Sequence, residues 1–388
     1  MHTILTVVGA RPQFIKAAAI NRVIREQHSR HVREVYVHTG QHYDANMSAV
    51  FFTELGLPPE DHNLGVGSGS HARQTADMLI GIERVLLEER PDLVLLYGDT
   101  NSTVAGALAA SKLHIPIAHV EGGVRSHHKA YPEEVNRLIC DHLSTLVFCP
   151  TEDGMTQLAK EGLHPGNQRP WSADRPGVFH CGDIMYDNSL YFAERAEATS
   201  QVLQRCGVTA RPYALATIHR PHNTDHPQVL ADLMRTFIAL AEARDLVFVI
   251  PMHPRTLLRV EEDLEPTLRA QLREHPLLRV IPAVPFLDMV QLERHARIVL
   301  TDSGGVQKEA YFFRRPAVIL LDRTPWVELT ASGTAIETGA DPQRIRDAFL
   351  HLLDRTDLVY PPIFGDGRAA HFICDRLLEL LDERAAQR

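Results

Sequence analysis

The chain has 388 residues, 44% of them hydrophobic, and a formal net charge of −9 at pH 7. One hydrophobic core rarely serves a chain of this length, so the length predicts two domains of roughly 150–200 residues. Lysine and arginine are scattered without forming a basic stripe, which argues against a surface for nucleic acid or anionic membrane. Any anion that the protein binds must therefore be held by a local site.

The cysteines and the apolar runs bear on the compartment of the protein. Five cysteines are spread widely and form no CxxC pair, which argues against a disulfide framework and against a zinc site. The N-terminal MHTILTVVGARPQFIK is too short an apolar run for a signal peptide and predicts a first strand. No stretch reaches the ~18 apolar residues of a membrane span. We therefore expect a soluble, cytoplasmic protein.

Short β-branched runs alternate with amphipathic segments through the first half of the chain. The runs are TILTVVG, REVYVHTG, DLVLLYGD, IPIAHVEG and LVFCPT. The segments between them, such as STVAGALAASKLH, carry apolar residues at three- and four-residue spacing, which is typical of crossover helices. This alternation predicts βαβ units around a parallel sheet, forming a Rossmann-like domain over residues 1–170.

The pattern breaks at HPGNQRPWSADRPG, which we interpret as a linker because it lacks an apolar period. A second α/β series begins with FHCGDI and continues through YALATIHR, LVFVIPMHP, LRVIPAV, ARIVLTDSGG and PAVILLD. It predicts a second Rossmann-like domain over 171–368, with a terminal helix over 369–388. Doubly wound sheets bind ligands at the carboxyl ends of their strands, so we expect the active site in the cleft between the domains.

The first strand is followed by GARPQFIK, a loop that suits an anion. Arg11 and Lys16 lie at the start of a predicted helix, where negative charge is favoured, although both could be ordinary surface cations. The chain contains neither GxGxxG nor GxxxxGK[ST], which disfavours NAD and a P-loop nucleotide. We therefore predict that this loop binds another kind of phosphorylated substrate.

A second anion loop, TDSGGVQKEA, also follows a strand and opens a helix. Ser303, Gly304 and Gly305 offer a hydroxyl and backbone N–H groups to a diphosphate. Glu309 lies about one helical turn further on, where its carboxylate could accept hydrogen bonds from a ribose diol. The alternative interpretation is a glycine turn with an exposed glutamate. Together with the first loop, this motif indicates a nucleotide-sugar.

Several acidic residues also follow strands. Asp99 in GDTNST is either a functional acid or a helix N-cap. Glu121 in HVEGG ends an apolar strand beside two glycines, which allow a close approach to the backbone. Glu133 and Glu134 begin a helix, where acidic charge is favourable in any case. Arg137, on the next turn, is a further candidate for substrate binding.

The second half of the chain contributes ATIHR, in which His219 and Arg220 follow a strand whose end should lie beside the SGG loop. We predict that His219 is catalytic and that Arg220 binds substrate. The neighbouring His127 and His128 do not suit a metal, because adjacent side chains point apart. We therefore expect no metal site.

A diphosphate-binding loop together with several carboxylates suits a reaction that breaks a carbon–hydrogen bond of a nucleotide-sugar. Clustered carboxylates have different pKa values, so one can be a base while another remains an acid. Without NAD, the centre cannot be inverted by transient oxidation. Elimination is the alternative: a base removes the proton at carbon-2 and the nucleoside diphosphate leaves carbon-1. The diphosphate then adds back to carbon-1, and a proton returns to the other face of carbon-2. Cations and backbone amides would stabilise the departing phosphate.

The motifs GARPQFIK, GDTNST, HVEGGVR, YPEEVNR, IHR and LTDSGGVQKEA, in this order, resemble the non-hydrolysing UDP-N-acetylglucosamine 2-epimerases over nearly the whole chain. The resemblance implies a glycosyltransferase-B-like fold, a homodimer, no metal or nicotinamide cofactor, and interconversion of UDP-GlcNAc and UDP-ManNAc. It also implies that the terminal helix joins the first domain. By motif position the catalytic set is Asp99, Glu121, Glu133 and His219, and the UDP contacts are Arg11, Lys16, Ser303, Gly304, Gly305 and Glu309.

The chain departs from the family pattern at several positions. Gln13 replaces a glutamate, Gly122 replaces an alanine, and His222 stands in HRPHN where a glutamate is usual. In LDRTPWVE, Leu321 stands where the family pattern has an arginine. TGQHYDANMS and GDIMYD resemble the branch that acts on UDP-2,3-diacetamido-2,3-dideoxyglucuronate, and Asp44 occupies the position of a regulatory glutamine.

These departures leave alternatives to a UDP-GlcNAc 2-epimerase open. They are an epimerase for the diacetamido sugar, a hydrolysing epimerase, a glycosyltransferase of the same fold, and a non-catalytic nucleotide-sugar sensor. A glycosyltransferase needs an acceptor site and at most one base, so the carboxylates favour an epimerase.

Overall fold

The structure is a computed structural model that describes residues 1–40 and 54–387. The chain divides into two compact units, one made of Met1–Asn188 with Pro362–Arg388 and the other of Ser189–Pro361. Each unit is built around its own parallel sheet, with helical connections between the strands. The predicted fold class, an α/β chain with two Rossmann-like domains, is therefore confirmed.

The sheet of unit 1 has the strand order β3-β2-β1-β4-β5-β6-β7 in the described part of the chain. The strands are β1 His2–Val8, β2 Val32–His38, β3 His62–Asn63, β4 Leu93–Tyr97, β5 Ile117–Val120, β6 Leu146–Cys149 and β7 Gly177–His180. The helices are α1 Arg11–Val23, continued by a π-helical turn Ile24–His28, then α2 His71–Glu89, α3 Asn101–Lys112, α4 Pro132–Leu143 and α5 Glu152–Lys160.

Strand order reverses between β1 and β4, which pair in parallel from Ile4↔Leu93 to Thr6↔Leu95. Helices cover both faces of such a sheet, which is why the strands are almost continuously apolar. All five residues of β4 are buried. A reversal of this kind opens a crevice at the carboxyl ends of the strands. GARPQFIK follows β1 and GDTNST follows β4 at this point.

The sheet of unit 2 has the order β10-β9-β8-β11-β12-β13. Its strands are β8 Tyr213–Thr217, β9 Val247–Met252, β10 Leu278–Pro282, β11 Ile298–Thr301, β12 Ala317–Ile319 and β13 Ala335–Glu337. Helix α6 Ile184–Thr199 contains the unit boundary. The further helices of unit 2 are α7 Val202–Arg205, α8 Pro221–Thr224, α9 Pro227–Arg244, α10 Pro254–Asp263, α11 Pro266–Glu274, α12 Phe286–His295, α13 Gly304–Phe312, α14 Val327–Ala331 and α15 Pro342–Leu353.

The order of this second sheet reverses between β8 and β11, which pair from Ile298↔Ala214 to Thr301↔Thr217. IHR follows β8 and DSGG follows β11. The two motifs therefore lie side by side at the carboxyl edge of unit 2, which is the expected position for a ligand in a doubly wound sheet.

The strand that follows the proline-rich connection belongs to the first sheet, not to the second α/β series that the sequence predicts. FHCGDI was predicted to open the second α/β set, but β7 pairs in parallel with β6 through Val147↔Val178 and belongs to the first sheet. The compact units accordingly change at Asn188 and Pro361, not at 170 and 368. A proline-rich connection indicates a break in regular structure, but it does not reveal which sheet the next strand joins.

The terminal helix α16, Ala369–Gln387, is part of unit 1. The backbone N–H groups of Ala369 and Ala370 donate to the carboxylate of Asp187, at 3.0 and 2.7 Å. At the other end of α16, Asp382 contacts Nε2 of His2 at 2.8 Å. The N-terminal strand and the C-terminal helix are thus joined within one unit, as the resemblance implied.

Candidate functional site

The loop after β1 is fixed by a buried glutamine at the start of α1. Oε1 of Gln13 accepts hydrogen bonds from the backbone N–H groups of Gly9 at 2.8 Å and Ala10 at 3.0 Å. Its Nε2 donates to the Tyr97 carbonyl and to Oγ1 of Thr103, both at 3.0 Å. A glutamate, as in the family pattern, could accept the first two bonds but could not donate to a carbonyl when ionised. Gln13 therefore links the loops after β1 and β4, because its side-chain amide can both accept and donate hydrogen bonds.

Glu121 lies in a buried ion pair at the end of β5. Its Oε1 is 2.7 Å from Nζ of Lys16, and their side chains are 7% and 8% exposed. The backbone of Glu121 has φ 71°, a left-handed conformation that is unfavourable for a non-glycine residue. Strained positions of this kind cluster at functional sites. Lys16 was predicted to bind substrate; in this structure its ammonium group contacts Glu121.

Gly98, the first residue after β4, borders this ion pair. It has φ +63°, and a Cβ at this position would lie 3.2 Å from Nζ of Lys16 and 3.6 Å from Oε1 of Glu121. The loop therefore requires glycine both for its backbone conformation and for the space that the ion pair occupies.

We expect Gly98→Ala to lower the free energy of unfolding by about 1–2 kcal/mol through its left-handed backbone, with a further loss from crowding of Lys16. Gly207→Ala is the matched control, because Gly207 has φ +67° and no atom within 4 Å of its added Cβ. Urea unfolding of the two variants measures the difference. Equal losses would contradict the crowding argument.

Asp99 and Arg137 are ion-paired at the same edge of unit 1. Their side chains are 20% and 10% exposed, so the pair is partly accessible. The backbone carbonyl of Asp99 also accepts a hydrogen bond from Nδ2 of Asn136 at 2.8 Å. Helix α4 thus holds the loop that carries Asp99. The N-cap of α3 is Thr100, not Asp99, so the interpretation of Asp99 as a simple N-cap is wrong.

The two glutamates at the start of α4 differ in environment. Glu134 is 3% exposed, and its carboxylate accepts from the backbone N–H groups of Ser126 at 2.7 Å and His127 at 3.1 Å. It also accepts from the Ser126 hydroxyl at 2.9 Å. Glu133 is exposed. Glu134 therefore fixes the loop before the helix, and Glu133 remains accessible for chemistry.

A buried network beneath these loops was not predicted from the sequence. Nδ1 of His119 contacts Oδ1 of Asp141 at 2.7 Å, and its Nε2 contacts the Gly98 carbonyl at 2.7 Å. Arg125 donates to Oδ2 of Asp141 at 2.6 Å, as does the backbone N–H of Gly123 at 3.0 Å. The sequence offered no signal for Asp141, which lies in helix α4 beyond the end of the YPEEVNR motif.

The network keeps Asp141 ionised. Complete burial alone would raise the pKa of Asp141, but the hydrogen bond and charge of His119, with Arg125 and the Gly123 N–H, outweigh it and lower the pKa below the usual 3.8. Gly122 belongs to the same arrangement, because a Cβ there would lie 2.5 Å from Oδ1 of Asp141. The departure from the alanine of the family pattern thus leaves room for this carboxylate.

His219 lies at the carboxyl edge of unit 2, next to a buried carboxylate. Its Nδ1 is 3.2 Å from Oδ1 of Asp302, which is fully buried at the end of β11. Asp302 also accepts from the backbone N–H groups of His219 at 3.1 Å and Arg220 at 3.0 Å, and from Nδ2 of Asn223 at 3.0 Å. Asp302 thus orients the IHR loop. Its position directly before Ser303 was the signal by which the sequence could have identified it.

The pKa of His219 is below its usual 6.5, first because its ring, although 46% exposed, is partly desolvated, and also because of the charge of Arg220 and two other histidines; Asp302 opposes the change. We expect a histidine NMR titration to show this lowered pKa, with the ring neutral at pH 7. As the pH falls below 6.5, the unfolded chain takes up this proton first, so His219 lowers stability in acid.

Arg220→Gln is expected to raise the pKa of His219, because it removes a neighbouring positive charge while leaving Asp302 in place. His219→Gln identifies the resonance. An unchanged titration in Arg220→Gln would contradict this electrostatic explanation.

The SGG loop begins helix α13 as predicted. Ser303 is the N-cap, and its hydroxyl accepts from the backbone N–H of Val306 at 3.5 Å. Gly304 and Gly305 are the first two residues of the helix, where backbone N–H groups lack partners within a helix. Glu309 is half-buried on the same helix. The geometry suits an anion at this helix N-terminus.

The LDRTPWVE loop packs against the same helix. The hydroxyl of Thr324 donates to Oε1 of Gln307 at 2.6 Å. Nζ of the buried Lys308 lies 4.0 Å from the ring centroid of Trp326, a cation–π contact. Nε1 of Trp326 would be 3.6 Å from a Cβ on Gly304. This loop therefore lies beside the SGG motif although its sequence departs from the family pattern.

Of the remaining predicted residues, Arg11 is exposed at the first position of α1 and Arg220 is exposed after β8. Asp44 lies outside the described residues. Within residues 1–40 and 54–387, no three histidine, cysteine or acidic side chains are grouped so that they could hold a metal. In the same residues, no helix has the length and apolarity needed to cross a membrane.

Comparison with known proteins adds to this geometry. Residues 25–378 match the family model described as UDP-N-acetylglucosamine 2-epimerase. A UDP-N-acetylglucosamine 2-epimerase homolog of Methanococcus maripaludis is 42% identical over 97% of this chain and 99% of its own. The UDP-2,3-diacetamido-2,3-dideoxy-D-glucuronate 2-epimerase of Pseudomonas aeruginosa is 42% identical, with the same coverage.

Among solved structures, UDP-GlcNAc 2-epimerase of Methanocaldococcus jannaschii in complex with UDP-GlcNAc and UDP is similar with a TM-score of 0.84. It is 35% identical, covering 98% of this chain and 100% of that one. Fold and relatives together define an α/β enzyme of two Rossmann-like domains. The chain belongs to the UDP-N-acetylglucosamine 2-epimerase family, which confirms the resemblance of its motifs and makes it an epimerase.

Proposed function

We propose that the protein interconverts UDP-GlcNAc and UDP-ManNAc without hydrolysis, by elimination and re-addition of UDP. The observation that carries this proposal is the buried, strained Glu121 at the carboxyl edge of unit 1, in a chain whose relatives are 2-epimerases. A carboxylate at such a position suits proton transfer at a carbon next to the anomeric centre.

In the proposed reaction, a carboxylate removes the proton from carbon-2 of the sugar. The electron pair of that carbon–hydrogen bond forms a double bond to carbon-1, and the bond from carbon-1 to the UDP oxygen breaks. UDP then adds back to carbon-1 while an acid returns a proton to the other face of carbon-2. Asp99, Glu121 and Glu133 are the candidates for base and acid.

The departing UDP carries developing negative charge, and residues of unit 2 are suited to stabilise it. The backbone amides at Gly304 and Gly305, with the Ser303 hydroxyl, would bind the diphosphate, and Glu309 would accept from the ribose. His219 and Arg220 would lie near the leaving oxygen, with Asp302 holding their loop. In unit 1, Arg11 is exposed at the start of α1 and would contact the phosphates, whereas Lys16 contacts Glu121.

Incubation with UDP-GlcNAc in deuterated water tests the reaction. We expect deuterium at carbon-2 of a UDP-linked product, detected by NMR and mass spectrometry. Absence of exchange with this substrate and with the diacetamido substrate would overturn the proposed epimerase reaction. Release of free sugar would instead identify a hydrolysing enzyme, which shares the elimination step.

A second candidate substrate is UDP-2,3-diacetamido-2,3-dideoxyglucuronate. It is supported by the 42% identity to the Pseudomonas aeruginosa enzyme, which equals that to the UDP-N-acetylglucosamine 2-epimerase homolog of Methanococcus maripaludis and exceeds the 36% to the Methanocaldococcus jannaschii enzyme. Comparing kcat/KM for the two UDP-sugars distinguishes the candidates, because specificity is a ratio of these values. The substrate with the higher value is the one that the site fits better.

We also propose that the enzyme is a cytoplasmic homodimer. The family resemblance and the five free cysteines support this assignment. Sedimentation equilibrium at several protein concentrations would test the oligomeric state, and a monomer at all concentrations would contradict it.

A further inference from the structure

Unit 2 contains an arginine-lined pocket at the amino ends of its strands. The pocket has a volume of about 540 Å³ and is lined by Arg297, Arg314, Arg315 and Arg355, with apolar residues between them. Arg297 directly precedes β11, and Arg315 lies two residues before β12. His219 and Ser303 follow the opposite ends of strands in the same sheet. The pocket is therefore separate from the site proposed to bind UDP.

Among the described residues, the guanidinium groups of this pocket form hydrogen bonds through some of their nitrogens and not through others. Nε of Arg297 donates to the Leu353 carbonyl at 3.2 Å, and Nε of Arg315 donates to the Arg294 carbonyl at 2.9 Å. Arg355 is bound to the Asp357 carboxylate. These bonds fix the positions of the side chains, and among the described residues those of Arg297 and Arg315 involve one guanidinium nitrogen each.

Arg314 differs from the other three. Within residues 1–40 and 54–387 it makes no side-chain hydrogen bond or ion pair. It follows helix α13 with φ 55°, a position usually taken by glycine. A side chain that occupies this backbone conformation at a cost in stability, and has no partner, is suited to contact a ligand.

A buried hydroxyl group adds a further donor. Tyr360 lines the pocket, and its Oη is buried without a hydrogen-bond partner among the described residues. Its ring packs on Tyr311, with centroids 5.2 Å apart. Burial raises the pKa of Tyr360 to about 12, against the charges of Arg315 and Arg314, so the hydroxyl is a donor at neutral pH. An unsatisfied buried hydroxyl is unfavourable unless a ligand accepts from it.

The chemistry of the lining indicates the class of ligand. None of the ten residues that line the pocket is acidic, and its charged groups are all guanidinium forks, which suit phosphate oxygens. The charges of Arg297 and Arg294 also lower the pKa of Arg315, next to a larger effect of burial, so an anion would relieve repulsion there. The volume lies in the range of small-molecule sites, and Leu358 and Val359 offer apolar contact.

We propose that this pocket binds a nucleoside triphosphate, with the three phosphates on the arginines and Tyr360 Oη and the base against the apolar wall. The proposal does not depend on the reaction proposed above.

Calorimetric titration of the full chain with ATP, in saturating UDP to occupy the other site, tests this proposal. We expect ATP to bind, with affinity that falls as salt is added. Arg314→Gly is expected to weaken binding at least ~10-fold by removing a charged contact, and its backbone conformation suits glycine, so the variant should fold. Arg346→Gln, which changes an exposed arginine outside the pocket, should bind ATP normally.

Three results would overturn the proposal. They are no ATP binding in the presence of UDP, equal ATP affinity in Arg314→Gly and the unaltered protein, and binding of inorganic tripolyphosphate in place of ATP. The last result would show that the site takes a bare polyphosphate and does not recognise a nucleotide. Tyr360→Phe, which keeps the ring and removes the hydroxyl, should weaken ATP binding to a smaller extent.

Discussion

Glu121→Gln is expected to lower turnover by at least ~10², because it replaces a group that can exchange a proton with one that cannot. The amide is nearly isosteric with the carboxylate, and its oxygen can still accept from Nζ of Lys16, now 2.7 Å from Oε1. UDP binding should be unchanged, since Glu121 lies in unit 1 and the SGG loop in unit 2. Steady-state kinetics and calorimetric titration with UDP measure the two properties.

A matched control is Glu88→Gln, because Glu88 is exposed near the end of α2, before β4, whereas the predicted site residue Asp99 follows the opposite end of β4. It should retain full turnover. Retained UDP binding by Glu121→Gln would show that the variant is folded. Its loss of turnover would then be due to the missing proton-transfer group. Full turnover in Glu121→Gln would leave Glu121 with a structural role only.

Asp141→Ala is expected to lower the free energy of unfolding by about 3–5 kcal/mol, as when one partner of a buried ionic network is removed. The substitution leaves His119, the Gly123 N–H and one contact of Arg125 without their acceptor. The Asp141 side chain is 0% exposed, so bulk water does not reach the groups that lose this acceptor. Denaturant unfolding monitored by circular dichroism measures the change.

Glu161→Gln is the control for this network, because Glu161 binds the same Arg125 but is 25% exposed. This substitution should lower the free energy of unfolding by less than about 1 kcal/mol. The lowered pKa of Asp141 means that its charge stabilises the fold above pH 3.8 and ceases to do so as the pH falls through the folded-state pKa. Equal losses in the two variants would contradict the importance of burial at Asp141.

The sequence predicted the positions of the candidate site because loops after parallel strands meet at one edge of a sheet. Gly98 and Glu121 follow β4 and β5, while His219 and Ser303 follow β8 and β11, in both cases as the alternation of strands and helices indicated. Departures from the family pattern could also be identified by inspection. Gln13 was such a departure, and the structure supplies its hydrogen bonds.

Other features could not be predicted, because they depend on contacts between distant parts of the chain. The assignment of β7 to the first sheet rests on pairing with β6, and a strand pattern does not specify its neighbour. Asp141 lies 22 residues from His119, and no local motif connects the two. The contact of Lys16 with Glu121 spans 105 residues.

By itself, the sequence determined the class of the fold, the motifs and the loops that carry them, since these follow from local periodicity and from residue type. The motif position placed Glu133 and not Glu134 in the catalytic set, but only the tertiary structure showed that the Glu134 carboxylate accepts from backbone N–H groups while Glu133 is exposed. It also decided that Lys16 is paired with Glu121. Burial and charge pairing are properties of neighbours in space, and they set whether a carboxylate holds a loop or remains available to a substrate.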